Sequence, residues 1–534
     1  MASKETNRIF TYQTRLQLSS IETAILDDCA QYLSHIERRL FAEISAGKDP
    51  LQQKFLYIRK YGITARHFNA LRVQLEGKMA AIEAFQTKQL AKIALKIPEL
   101  KKRIKKLEVK KYNPMVIHQK KRLCFNLEKK LERLQHDKAT NKVGLCFGSK
   151  KLFKAQFNLQ ANGYQSHEEW SKEWKMARSN SFFLLGSKDE ASGNQSCSAA
   201  IQEDGSFHLR IRLPDFFCSR RGKYLILTGI QFKHGHSNIL TALQSCKERK
   251  QLLKLKNTSA KEFGIPISYR FKRDHKGWRV FVSLPIPKKQ KTTSSNAGVI
   301  GVDINANHLS VTETDRFGNP IATKKIALNT YGKTRHQTAA VVGDACTQII
   351  VLAKEKGKTI VLEKLDFSKK KLELKDRGNP KYARMLSSLT YSQIINNIQS
   401  QGWKTGVEIA EVNPAYTSII GRTKFAKRYG LTVHSAAALV IGRRHLRTSE
   451  RVPRHLENIP DGKGGHVTLS LPVRNRDKHV WSTWRIINQK FKTVHAAHFR
   501  ARNRSLRSKS SLATYPIPEF DGEIPSREFV NSTA

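Results

Sequence analysis

The chain has 534 residues, of which 96 are Lys or Arg and 44 are Asp or Glu, a formal charge of +52. So large an excess excludes an ordinary metabolic enzyme, because crowded like charges repel unless a polyanion neutralises them, and nucleic acid is the commonest such partner. With 39% hydrophobic residues the chain can fill real cores, about three domains at ordinary sizes, which excludes a disordered tail.

No segment reaches the roughly 18 consecutive apolar residues needed to cross a bilayer. The N-terminal MASKETNRIF has no apolar signal core, so an intracellular location without a membrane partner is expected. Seven cysteines, at 29, 124, 146, 197, 218, 246 and 346, are odd in number and form no CxxC pair. That pattern argues against both a zinc ribbon and a disulfide framework.

In chain order, RIFTYQTRLQL alternates as a strand would, and Ser19 or Ser20 begins a helical repeat through Ile21, Ile25, Cys29, Leu33, Ile36 and Leu40. Helices continue to Leu95, and two basic amphipathic stretches between Glu99 and Lys138 break at Asn113 and Pro114, a helical lobe over residues 21–143. Leu123, Phe125, Leu127, Leu131 and Leu134 are expected to face a neighbouring helix, and the Lys-rich surface to meet phosphates. From residue 144 to about 290 short β-like runs follow: LFKAQFNL, SFFLLGS, FHLRIRL, KYLILTGIQF, PISYRFKR and GWRVFVSL. With residues 1–20 they form a β-rich module whose paired Arg and aromatic residues suit phosphates and stacked bases, or simply fill its core. Residues 287–298, PKKQKTTSSNAG, look like a linker.

Over residues 298–446 the pattern becomes strand (299–303), strand (308–314), strand (320–328), helix (335–356), strand (359–366), helix (388–401), strand (407–413) and helix (433–446). Three leading strands followed by alternating helix and strand predict a mixed α/β layer fold in the order used by RNase H-like nucleases. The whole chain is thus read as multidomain α+β. From 447 to 534 a basic, largely irregular tail is expected, its last 30 residues or so disordered.

Two acids end apolar strands of the α/β block, Asp303 in VIGVDINAN and Glu363 in TIVLEKLDF. A carboxylate at a strand end is usually a cap, but two on strands that lie close together can hold Mg²⁺ or Mn²⁺ and support in-line cleavage of a phosphodiester.

These two blocks, with EVNPAYTSIIGRTKFAKRYGLTVHSAAALVIGRR at 411–444, resemble the TnpB (OrfB) proteins of bacterial insertion elements, RNA-guided DNA nucleases related to type V CRISPR effectors. The first 290 residues match only in layout, as wedge-like and recognition-like domains. The resemblance implies a RuvC-like nuclease, a guide non-coding RNA, a double-stranded DNA target, and a bacterial cytoplasm, close to the nucleoid. It also implies nucleic-acid contacts at Tyr416, Thr417, Ser418, Arg422, Lys424, Arg443 and Arg444. Two departures matter. The family's paired CxxC zinc finger is missing after Ser418, so no zinc is expected. Its third acid, in an Asp-x-Asn-Ala-Ala segment, is replaced by His434.

Imidazole can still bind a divalent ion, and certain RuvC resolvases are similar in placing a His among their acids, so Asp303, Glu363 and His434 are the expected catalytic and metal-binding set. Asp344 and Glu411 are possible substitutes for the third ligand. The alternatives are a guided repressor or transposon accessory protein that binds without cutting, and a transposase or structure-selective nuclease working without RNA.

Overall fold

The computed structural model describes residues 7–190, 192–255, 258–364, 388–453, 457–460, 465–475 and 477–510. The chain divides into two units, residues 1–287 and residues 288–534.

In the first unit the alternation of RIFTYQTR becomes β1 (Arg8–Arg15), antiparallel to β7 (Gly277–Ile286). With β6 (Ser268–Asp274) and β2 (Ser181–Leu184) they make a sheet of order β1-β7-β6-β2. Every second residue of β7, Trp278, Val280, Val282 and Leu284, is buried, the period-two signature of a strand with one covered face. The helix α1 (Ser20–Ser45) starts in a capping box between Ser19 and Glu22 and buries Ile25, Cys29, Ile36 and Leu40 in the same core. A second sheet, β3 (Cys197–Ile201), β4 (Phe207–Arg212) and β5 (Tyr224–Ile230), adds Leu209, Ile211 and Leu227. The helices α2 (Lys54–Tyr61), α7 (Cys218–Arg221) and α8 (His236–Lys254) complete this part.

The basic stretches form a hairpin of α3 (Ala65–Val109), about 67 Å long at 1.5 Å per residue, and α4 (Pro114–Ala139). Its seam contains Ile93, Ile97, Leu100 and Ile104 opposite Leu127, Leu131 and Leu134. Leu123 and Phe125, expected at the seam, point outward instead, because Cys124 takes the inward position between them. Between residues 99 and 138 the hairpin has 14 Lys or Arg and 5 Asp or Glu, so ion pairs such as Lys121 with Glu108 and Lys101 with Glu128, both 2.8 Å, leave most of its positive charge uncompensated.

Two expectations for this unit are corrected. LFKAQFNL is not a strand: Ser149 caps a short helix, α5 (Lys150–Ala155). Phe153 of α5 then packs on Trp174 of α6 (His167–Arg178), and the Trp170 indole N–H donates to the Leu152 carbonyl at 2.8 Å. The strand aromatics also divide into two sets. Phe182, Phe271 and Trp278 are core, whereas Phe183 and Tyr224 carry the guanidinium groups of Arg270 and Arg210 on their rings.

In the second unit, β8 (Ser294–Ile304), β9 (His308–Thr314), β10 (Pro320–Ala327), β11 (Lys358–Glu363) and β12 (Ile409–Val412) form a sheet of order β10-β9-β8-β11-β12. The first three strands are antiparallel, and β11 runs parallel to both β8 and β12. Along the chain the three leading strands are followed by alternating helix and strand, as anticipated from the sequence. The helices α9 (Arg335–Lys356) and α10 (Ser388–Thr405) bury one face against Ile300, Val302, Leu309, Val311, Ile360 and Leu362. The other face carries α12 (Val433–His445). With both faces covered, the β8 segment VIGV and the β11 segment TIVL read as continuous apolar runs.

The segment expected to be a linker is built into this unit. The N–H groups of Lys289 and Thr292 donate to the carbonyls of Trp403 and Gly406, and β8 already begins at Ser294. The described part of the tail after 447 is likewise not largely irregular. A hairpin of β13 (Glu457–Pro460) and β14 (His466–Leu469) precedes α13 (Val480–Ser510). Trp484, Ile487 and Phe491 recur at helical spacing among the basic residues and pack with Ile420, Phe425 and Leu439. The last residues, 511–534, expected to be disordered, lie outside the described residues, as do 365–387. No helix among the described residues is long and apolar enough to cross a membrane.

Candidate active site

Side chains alternate across a strand, so Val299, Gly301 and Asp303 of β8 share the face that carries α12. Gly301 is what lets the helix sit there, since a Cβ at this position would stand 2.0 Å from the Ala438 carbonyl oxygen. One helical turn before Ala438 comes His434, and two residues beyond Gly301 comes Asp303. The His434 Nδ1 accordingly lies 3.2 Å from Asp303 Oδ2, a hydrogen bond in which the imidazole donates. The Asn305 amide donates to the same oxygen at 2.9 Å. Asp303 is 9% exposed, while the His434 side chain is 49% exposed and reaches solvent.

On β9 the residues facing α12 are polar at every second position. Ser310 meets the Ser435 hydroxyl, Thr312 donates to the Ser435 carbonyl at 2.8 Å, and the His308 ring stands nearly perpendicular to that of His434 at 4.9 Å. Burial, followed by the neighbouring His434 and Lys325, holds His308 below the ordinary imidazole range, with Asp303 pulling the other way. His308 and Asn305 were not anticipated as site residues. The alternation of His308, Ser310 and Thr312 with Leu309 and Val311 was the signal available for the first.

Glu363 arrives from β11, where Val361 pairs with Gly301 in parallel register. That ladder ends at Val361 and Gly301, and both strands run on two residues in the same direction, to Glu363 and Asp303, each by alternation on the α12 face. The Thr417 hydroxyl donates to Glu363 Oε1. Thr417 is buried at the start of α11 (Thr417–Ile420), which the chain enters through Tyr416 in a left-handed conformation, φ +62°. Asp303, Glu363, His434 and Thr417 therefore come from four elements onto one end of the sheet.

The suggested substitutes do not join them. Ala410 and Val412 of β12 pack on the α12 side, so Glu411 between them faces the other way, where Gln399 of α10 donates to it at 2.9 Å. Asp344 is exposed on α9, the helix covering that same opposite face. Among the residues expected to contact nucleic acid, Ser418 is exposed and Arg422 lies over the Phe491 ring. Arg443 donates to the Gly318 carbonyl at 2.6 Å and stacks on Phe425. Arg444 is engaged internally, paired with Glu450 at 2.7 Å, bonded to the Asn413 carbonyl and stacked on Trp481, so its role is to tie α12 to the segments on either side. Lys424 lines a surface cavity.

Hard divalent cations such as Mg²⁺ take one or two carboxylates and leave the remaining positions to water and phosphate. Adjacent carboxylates from Asp303 and Glu363 fit that donor set. Among the described residues no three His, Cys, Asp or Glu side chains are grouped so as to hold a metal ion, so the expected set of Asp303, Glu363 and His434 is not assembled as a three-ligand site.

No family model and no curated protein matches the chain. Among solved structures the chain is similar to RuvC of Thermus thermophilus, with 14% identity and a TM-score of 0.21 over 28% of this chain and 92% of that one. It is similar to a CRISPR-Cas12f ternary complex at 11% identity and a TM-score of 0.19, over 82% of this chain and 98% of that one. A Cas12i1 R-loop complex after target DNA cleavage aligns at 9% identity and a TM-score of 0.13, over 80% of this chain and 46% of that one.

Proposed function

We propose that the chain is a RuvC-like DNA endonuclease of the TnpB kind, dependent on Mg²⁺ or Mn²⁺ and directed by a guide RNA encoded with a mobile element. The observation that carries this reading is the pair Asp303 and Glu363 on adjacent parallel strands, on the face where His434 bonds Asp303. A divalent cation held by the two carboxylates would neutralise charge on the phosphodiester under attack. The rest is the work of the chain's own groups. Asp303 holds the His434 proton on Nδ1, which leaves Nε2 with a lone pair that can take a proton from an attacking water. Thr417 fixes one Glu363 oxygen. The basic α3–α4 hairpin supplies phosphate contacts, while pairing between guide and target reads sequence.

One observation favours a second reading, a guided binder that does not cut: the position of the family's third carboxylate holds an imidazole already bonded to Asp303. The test is cleavage of DNA by the purified chain with its copurified RNA, in Mg²⁺ and in Mn²⁺. Asp303→Ala and Glu363→Ala should each lower cutting by at least about 100-fold and leave RNA binding unchanged. A wild type that never cuts establishes the binder. Copurified RNA without one discrete species removes the guide from either reading.

A further inference from the structure

In the second unit Lys424, Lys427, Arg428 and Arg451 line an open cavity of about 660 Å³ together with Thr423, Val452 and Pro453. Thr423 lies in a π-helix, Gly421–Ala426, a rare backbone form that recurs at functional positions. Gly421 opens that segment against α12, where a Cβ would stand 2.6 Å from the Ala436 backbone. Thr423 is 4% exposed, and its hydroxyl is buried without a hydrogen-bond partner among the described residues. A buried hydroxyl of this kind costs stability unless something bonds it.

The charges around it are one-sided. Burial, then Arg443 and Arg428, then Arg451, hold Lys424 below the ordinary lysine range, and Glu450 opposes them. Glu450 is itself committed to Arg444 and to the Trp481 indole at 2.8 Å. Lys424 bonds the Ser449 carbonyl at 3.3 Å, and an ammonium has three donors to place. Arg428 and Arg451 are exposed at the rim. Four cations around one open cavity, with no acid among its lining residues, form a receptor for an anion with several acceptor oxygens.

We propose that this cavity binds a phosphate group of a nucleic-acid strand. The inference rests on the nucleic-acid part of the proposed function and not on its cleavage chemistry. Arg443, which crowds Lys424, is nine residues from His434 along α12, about 14 Å. The cavity is therefore separate from the carboxylate pair. It fixes where the strand lies relative to Asp303 and Glu363.

The test is anisotropy of the full-length chain with labelled single-stranded DNA bearing either a 5′-phosphate or a 5′-hydroxyl, over a salt series in EDTA. Working in EDTA gives the same answer whether or not the chain cuts. The double variant Arg428→Gln/Arg451→Gln changes exposed side chains and should preserve the fold. It is compared with Lys354→Gln/Lys356→Gln on α9, an equal loss of charge on the far side of the sheet. The rim variant should bind at least about tenfold more weakly and show a salt slope reduced by about 0.7 for each phosphate that is no longer neutralised, with the α9 variant close to wild type. Weakening confined to the 5′-phosphorylated strand identifies a strand end as the source of the phosphate, and equal weakening on both strands identifies a backbone phosphate. Wild-type affinity and slope in the rim variant, or an equal weakening in the α9 variant, overturns the proposal.

Discussion

Replacing Gly301 by alanine tests whether the seating of α12 sets the candidate site. The added methyl would stand 2.0 Å from the Ala438 carbonyl oxygen, 2.9 Å from the Gly442 nitrogen and 3.0 Å from the Ala438 carbonyl carbon. All three are backbone atoms, so no rotamer change relieves the clash. Ordinary contact begins near about 3.5 Å, and α12 must lift by about 1.5 Å to restore it. Overpacking of this kind costs about 1–3 kcal/mol. The lift also breaks the bond from Thr312 to the Ser435 carbonyl, worth about 1 kcal/mol, and opens the packing of Ile441 on Val299 and Val361. Together these give about 2–4 kcal/mol, or a fall in Tm on the order of 10 °C for a domain of this size. Function should suffer separately, because the 3.2 Å bond between His434 and Asp303 does not survive such a displacement, and misplacement by about 1 Å costs about 100-fold in rate. Calorimetry and a cleavage assay read the two effects. A Gly301→Ala chain that melts and cuts like wild type would refute the account of how α12 is held.

Gly343, on α9, has open space where a Cβ would go, so Gly343→Ala should raise stability by about 0.5–1 kcal/mol, seen as a higher Tm. His67 in the first unit makes stability pH-dependent, because it is buried and held neutral, its Nε2 donating to the Arg212 carbonyl and its Nδ1 accepting from the Thr64 N–H. Burial is the main cause that lowers its pKa from 6.5 to about 4. The stabilisation is complete above pH 6.5 and is lost as pH falls towards 4, a total of about 3 kcal/mol. Denaturant titrations of wild type and His67→Gln should show the wild type losing more over that window, and parallel curves would refute the assignment.

Much of the second unit is legible in the sequence because its strands are covered on both faces. Apolar runs such as VIGV and TIVL leave Asp303 and Glu363 visible where they end, and the order of elements follows. What the sequence hid is spatial parity. Glu411 has the chemistry of a ligand, but the period of two along β12 turns it towards Gln399 and away from Asp303. The meeting of His434 with Asp303, 131 positions apart, was expected from the resemblance, and the packing of α12 on Gly301 supplies its physical cause. The C-terminal helix was missed for a different reason. Its apolar ridge of Trp484, Ile487 and Phe491 is thin beside the Arg and Lys around it, and a charge-rich stretch reads as a tail until a partner for that ridge is found. That partner is Ile420, Phe425 and Leu439.

The imidazole at position 434 decides between the two readings of the site. A carboxylate there would put a third negative charge beside Asp303 and Glu363, and clustered acids repel unless a cation joins them. His434→Asp should therefore lower Tm in EDTA and recover it in Mg²⁺, by about 2.7 kcal/mol at 100 times the dissociation constant, with a smaller recovery in wild type. If the natural site works through the imidazole, His434→Ala abolishes cutting as Asp303→Ala does. His434→Asp then retains or raises cutting, because Mg²⁺ is a hard cation that prefers oxygen ligands to imidazole. A chain that cuts under no divalent ion until His434 becomes Asp is in nature a binder, and the endonuclease reading fails. A His434→Ala chain that cuts like wild type leaves the carboxylate pair as the working site and reduces His434 to a prop for Asp303.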